Sequence, residues 1–278
     1  MMLTMSIWET LVAAFSYGFM IRALLVGITV AASSAFIGSF LVLKKFSMIG
    51  HGLSHVAFAA VAIALVLNQA PLPITAVIVV LVSVLILKLN ETAKLHGDAA
   101  IGLAATFSMA LGTTLASVGG GFNIELNRYL FGTILAIRNV DVWMSVVLSF
   151  AVVMVVTLFY ADLFAMTYDE EFAKVSGIKT KRLNTLLAIL TGLVIALGIR
   201  AIGAVLISAF IIFPTVIAMQ FSKGFKTTVV LAATFSMVIV FIGLLLSFVL
   251  DTPSGSSIVL LNGLVFTLVY AHQRILRK

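Results

Sequence analysis

Two histidines stand at the start of an apolar stretch that reads Gly50-His51-Gly52-Leu53-Ser54-His55. Positions i and i+4 of a helix share a face, with Cβ atoms about 6 Å apart. Two imidazoles so placed can reach one transition-metal ion, and imidazole suits zinc, copper, iron and nickel. The same pair can instead meet interfacial water or hydrogen-bond to neighbouring helices. Two ligands are too few for a closed structural zinc site. A carrier, however, needs an incomplete and weak site, because the ion must leave again. Ser54 lies beside the pair on a different face. His96 and His272 sit near charged ends, and nearly all ten acidic residues fall at span ends or in loops.

A second polar stretch is Thr167-Tyr168-Asp169-Glu170-Glu171-Phe172-Ala173-Lys174-Val175-Ser176-Gly177. Thr167 with Glu170 has the form of a capping box. Asp169, Glu170 and Glu171 favour the positive N-terminus of a helix and Lys174 its opposite end, while Gly177 can take the left-handed cap. The spacing predicts a short capped helix over 167–177 that either docks a partner through Asp169, Glu170, Glu171, Phe172 and Gly177 or lies at the interface. Asp251-Thr252-Pro253-Ser254-Gly255 reads as a turn, with proline placed for its second position.

The elements that must carry these groups follow from composition. The chain has 278 residues, 62% of them hydrophobic and 10% charged, and a mean hydropathy of +1.25. A soluble chain is nearer a quarter charged, so this one is read as an integral membrane protein, a single all-α transmembrane domain over 1–278. Candidate spans are 20–43, 47–68, 72–88, 98–118, 141–162, 184–199, 201–221, 227–250 and 256–273. Eight or nine cross, because one half of the 184–221 pair is expected to be short. Segment 122–137 is too polar and short to span. Residues 1–19 lack the basic start and cleavage pattern of a signal peptide and are read as an interfacial segment.

Orientation comes from the basic residues. Thirteen of the 17 lysines and arginines lie inside if the N-terminus is out and the C-terminus in; Arg22, Arg128, Arg138 and Arg200 remain outside. The net charge of +7 is explained by these flanks and not by nucleic acid. There is no cysteine, which excludes disulfides and thiolate metal sites. There is also no glycine-rich phosphate loop with its lysine, so energy for uphill transport must come from elsewhere. Spans without a central carboxylate argue against an ion-gradient-driven carrier, and the want of a general base beside the histidines argues against an intramembrane metalloenzyme.

Six blocks in order carry a resemblance: Phe40-Leu41-Val42-Leu43-Lys44-Lys45-Phe46-Ser47-Met48-Ile49-Gly50; Leu53-Ser54-His55; Asp98-Ala99-Ala100-Ile101-Gly102; Tyr129-Leu130-Phe131-Gly132; Gly203 to Pro214; and Asp251 to Gly255. The chain resembles the permease subunit of bacterial zinc and manganese ABC importers, the ABC-3 family. The resemblance implies a fold like that of the vitamin B12 importer and residence in the bacterial inner membrane. It implies a homodimer or paired permeases, a separate cytoplasmic ATPase docked at a coupling region over 163–183, and a metal-binding protein outside. No cofactor is held permanently; a divalent metal is the cargo. In that family a Gly-Asp-x-x-x-His helix supplies Asp and His to the path. His55 matches the histidine, whereas His51 occupies the aspartate position. Imidazole in place of carboxylate shifts the site away from manganese and so favours zinc; a manganese or iron importer of the same family is the alternative, and a permease for a larger chelate on the same fold is a further one.

Overall fold

The computed structural model describes residues 13–92, 97–119, 132, 137–203 and 207–276. Backbone polar groups find no water in hydrocarbon, so an apolar chain satisfies them within helices. Eleven helices follow among the described residues. They are α1 (Gly18–Leu43), α2 (Ile49–Val66), α3 (Pro71–Thr92), α4 (Gly97–Val118), α5 (Asn139–Leu158), α6 (Tyr160–Tyr168), α7 (Glu170–Val175), α8 (Thr180–Ile202), α9 (Ile207–Met219), α10 (Phe225–Leu250) and α11 (Ser254–Leu276). Eight of the described helices are long and apolar enough to cross a membrane, and α9 is a shorter apolar helix of 13 residues. The expected bundle is thus present. Segment 122–137 and residues 1–12 fall almost wholly outside the described residues, and α1 begins at Gly18, so the expected interfacial segment gives up its last two residues to the first span.

Three helices form the centre. The apolar windows of α1, α2 and α8 are 67–72% buried, against 22–33% for α3, α4, α5 and α11. The outer helices turn apolar rows outward, such as Leu103 and Phe107 on α4 or Leu260, Leu264 and Leu268 on α11. Several hydroxyls inside the bundle return to their own helix: Ser39 donates to the Ala35 carbonyl at 2.9 Å and Thr191 to that of Leu187 at 2.7 Å. Such back-bonding hides a polar group where no water can serve it.

Small residues set the close approaches. A Cβ on Gly27 would come within 2.9 Å of Val240 on α10, and one on Gly192 within 2.9 Å of Val80 on α3. Gly38 faces the Ile211 carbonyl of α9 directly. At the opposite flank, Arg22 donates to the Ile137 carbonyl at 2.9 Å, pinning the start of α5 beside α1.

The break expected over 198–203 falls at the last residue of that stretch. α8 runs to Ile202 and ends on Gly203, whose φ of +96° is open to glycine alone without strain. Gly198 abuts both Ile207 and Val30, and Val30 lies 12 residues past the start of α1. At about 1.5 Å per residue, the α8–α9 turn lies well inside the length of α1. The expected span 201–221 is therefore a half-length helix that starts within the bundle. Arg200, assigned to the outer rim by charge counting, is on this inset turn of α8.

Candidate metal-ion site

The start of α2 is wedged between two helices by two glycines. A methyl group on Gly50 would meet Ile211 Cδ1 at 2.9 Å and Ser208 Cα at 3.4 Å, both on α9. Gly52 meets Ile101 on α4 in the same way. Residues 50 and 52 each lie about 100° around the helix from 51. With those two sides packed, His51 points away from the bundle and is exposed, and His55 is half-buried one turn on.

The imidazoles converge. Their Nε2 atoms are 3.4 Å apart, with ring centroids 4.8 Å apart and planes at 86°. A zinc–nitrogen bond is about 2.0–2.1 Å, and two such bonds to atoms 3.4 Å apart subtend about 108–116°. That spacing suits a tetrahedral angle, and the same separation also lets one ring donate a hydrogen bond to the other. Ser54 Oγ donates to the His51 carbonyl at 2.6 Å, which holds the first turn of α2 and keeps this hydroxyl away from the pair. Among the described residues no group of three or more His, Cys, Asp or Glu could hold a metal. Two ligands are what one chain's described residues bring together here.

The second predicted stretch forms at the end of the bundle where α1 stops. The capping box expected from Thr167 and Glu170 is not what forms. Thr167 belongs to the end of α6, and its buried hydroxyl has no partner. Asp169 is extended (φ −147°, ψ 102°) and its carboxylate accepts from the Phe172 amide at 2.9 Å, making it the N-cap of α7. A carboxylate answers the partial positive charge of a helix start better than a hydroxyl does. Gly177 has φ +85°, as the left-handed cap requires. Lys174 donates to Glu171 at 2.8 Å, and this bond, with the charge of Glu170 and Glu171, raises the Lys174 ammonium above its ordinary range.

Two residues of this region were not singled out by the sequence. Lys44, at the C-cap of α1, pairs with Glu170 Oε2 at 3.4 Å and hydrogen-bonds Asn184 Oδ1. Asn184 in turn donates to Glu170 Oε1 at 3.3 Å. The available signal was Asn184 itself, a buried amide in the first turns of a helix otherwise turning apolar.

Apolar helices long enough to cross, glycine-packed and folded around a broken helix pair, define a polytopic membrane permease. The chain belongs to the ABC 3 transport family, whose sequence model matches residues 16–273. It is 30% identical to the manganese transport system membrane protein MntC of Listeria monocytogenes, over 91% of this chain and 90% of that one. It is also 30% identical to the high-affinity zinc uptake system membrane protein ZnuB of Haemophilus influenzae, over 88% of this chain and 94% of that one. Among solved structures it is similar to PsaBC from Streptococcus pneumoniae in complex with Fab, with a TM-score of 0.85, 26% identity and 95% of each chain covered.

Proposed function

We propose that this chain is the permease subunit of an ATP-driven importer for a divalent transition-metal ion, and that zinc is the ion it moves. The observation that carries the proposal is the 3.4 Å separation of the His51 and His55 Nε2 atoms on one face of α2, which matches a tetrahedral zinc angle. The site is incomplete and lies on an exposed face, as suits an ion held in transit and completed by a second copy of the chain. A separate ATPase would engage α7, whose Phe172 and Val175 are 66% and 89% exposed. A metal-binding protein would deliver ions at the opposite end. With the short α9 counted as a pass and α5 taken with α6 as one, nine alternating passes would leave the two termini on opposite sides. The excess of basic residues assigns the C-terminus to the cytoplasm.

Manganese is the second reading, favoured by the match to MntC of Listeria monocytogenes over 91% of this chain. Uptake of radioactive zinc and manganese by bacteria with and without the gene, each competed by the other ion, tests both. Gene-dependent zinc uptake that manganese fails to compete supports the proposal. Manganese uptake insensitive to zinc reverses the preference, and uptake of neither ion refutes the function.

A further inference from the structure

Lys44, Glu170 and Asn184 form a closed triangle in which each side chain bonds the other two. The three come from three elements: the C-cap of α1, the first residue of α7 and the second turn of α8. The Lys44 side chain is 14% exposed, Glu170 35%, and Asn184 is buried. An ammonium with so little access to water needs its partners, because removing one strands a buried charge. The outward side of α7 carries exposed Phe172 and Val175, whereas its inward side is tied down by this triangle and by fully buried Ala173. Glu170 is therefore a polar route by which a force on the outer side of α7 can reach both α1 and α8.

We propose that the Lys44–Glu170–Asn184 triangle is the joint that transmits movement of α7 to the ion path. The joint rests on the importer reading given above. Beyond Asn184, α8 is an unbroken helix to Gly203 and packs rigidly on α3 at Gly192. At Gly198 it bears on Ile207, the first residue of α9, and α9 bears through Ser208 and Ile211 on Gly50, next to His51. A chain of packed helices with a polar joint at one end and a glycine contact at the other can shift as a unit. Asn184 suits the corner because one amide both donates and accepts, so it bridges a cation and a carboxylate together. These are positioning residues; none of the three touches the imidazoles.

The test uses charge reversal in proteoliposomes holding the permease and the ATPase that co-purifies with it, supplied with zinc or manganese, whichever the unaltered complex moves. The readout is metal moved per ATP hydrolysed. Lys44→Glu and Glu170→Lys should each lower that ratio by about tenfold, the size of a coupling between directly bonded groups, with the ATPase still bound. Glu170 also pairs with Lys174 at 3.6 Å, so the doubly reversed pair is made together with Lys174→Gln; it should return the ratio to within about threefold, because the Asn184 amide can turn over to serve the exchanged charges. A merely structural triangle would change the amount of assembled complex and its thermal stability but leave the ratio alone. An unchanged ratio in both single variants, or a double variant as poor as the worse single, overturns the joint. Unaltered protein that moves neither metal with ATP instead brings down the importer reading itself.

Discussion

Replacing His55 with Ala tests the ion site most directly. On the proposed reading, the Nε2 atoms of His51 and His55, 3.4 Å apart, would provide two of the four ligands a tetrahedral ion takes. Four-ligand zinc sites bind with about 10–16 kcal/mol, so one ligand is worth about 3–4 kcal/mol. At about 1.4 kcal/mol per tenfold, His55→Ala should weaken zinc retention by roughly 100- to 1,000-fold. The fold should survive, since His55 is half-buried and the glycines at 50 and 52, not the imidazole, make the contacts of this turn. The assay is initial zinc uptake at limiting metal, with permease quantity in the membrane matched between variants. His51→Asp should retain uptake and broaden it toward manganese, because carboxylate oxygen suits that ion. Zinc uptake by His55→Ala within about threefold of the unaltered protein would refute the reasoning, being far outside the loss expected for a ligand.

Three further outcomes follow from the same geometry. Gly38→Ala drives a methyl group into the Ile211 carbonyl and should lower detergent-phase thermal stability by about 1–3 kcal/mol, whereas Gly102→Ala, with open space around it, should be neutral or stabilising by about 1 kcal/mol; equal melting temperatures would contradict this packing of α1 on α9. A cysteine at exposed Thr252, in a chain that has none of its own, should react with an impermeant thiol reagent outside intact cells, and labelling only after lysis would invert the orientation. Phe172→Asp on α7, where the ring is 66% exposed, should abolish co-purification of the ATPase while the permease still inserts; retention of the ATPase would move the docking surface elsewhere.

The readings of the sequence that survive are those that rest on strong local physics. Long apolar runs bounded by charge or turn residues gave α1 to α5 within a few residues at each end, because hydrocarbon leaves the backbone no option but a helix. Gly177 was legible as a left-handed cap since few other residues accept a φ of +85°. The errors differ in cause. Thr167 lost the cap to Asp169 locally, because the carboxylate accepts from the Phe172 amide, whereas the break fell at Gly203 because Gly198 is held inside α8 by contacts with residues on other helices. Gly198 looked like a helix end; it is the surface on which Ile207 and Val30 rest. Lys44 and Asn184 are 140 positions apart, and no spacing rule connects them.

The histidine pair was legible for a reason that extends past the i, i+4 rule. Small residues on both sides of a potential ligand let neighbouring helices close in on those sides and leave the ligand the remaining direction. Gly50 admits α9 and Gly52 admits α4, so the side chain between them is steered outward by the same contacts that bury its flanks. His55 lies one turn on along the same face; helix geometry brings the two Cβ atoms to about 6 Å, and the side-chain torsions close the Nε2 atoms to 3.4 Å. A site built this way has rigid backing and an open front. It can therefore be completed from outside the chain and emptied again by a movement of whatever completes it, which a closed four-ligand cage would not permit. Because α9 is part of the backing, any shift of that half-helix alters the support behind His51 directly. The ligand geometry and the helix break are thus two parts of one arrangement, joined at the Gly50 contact.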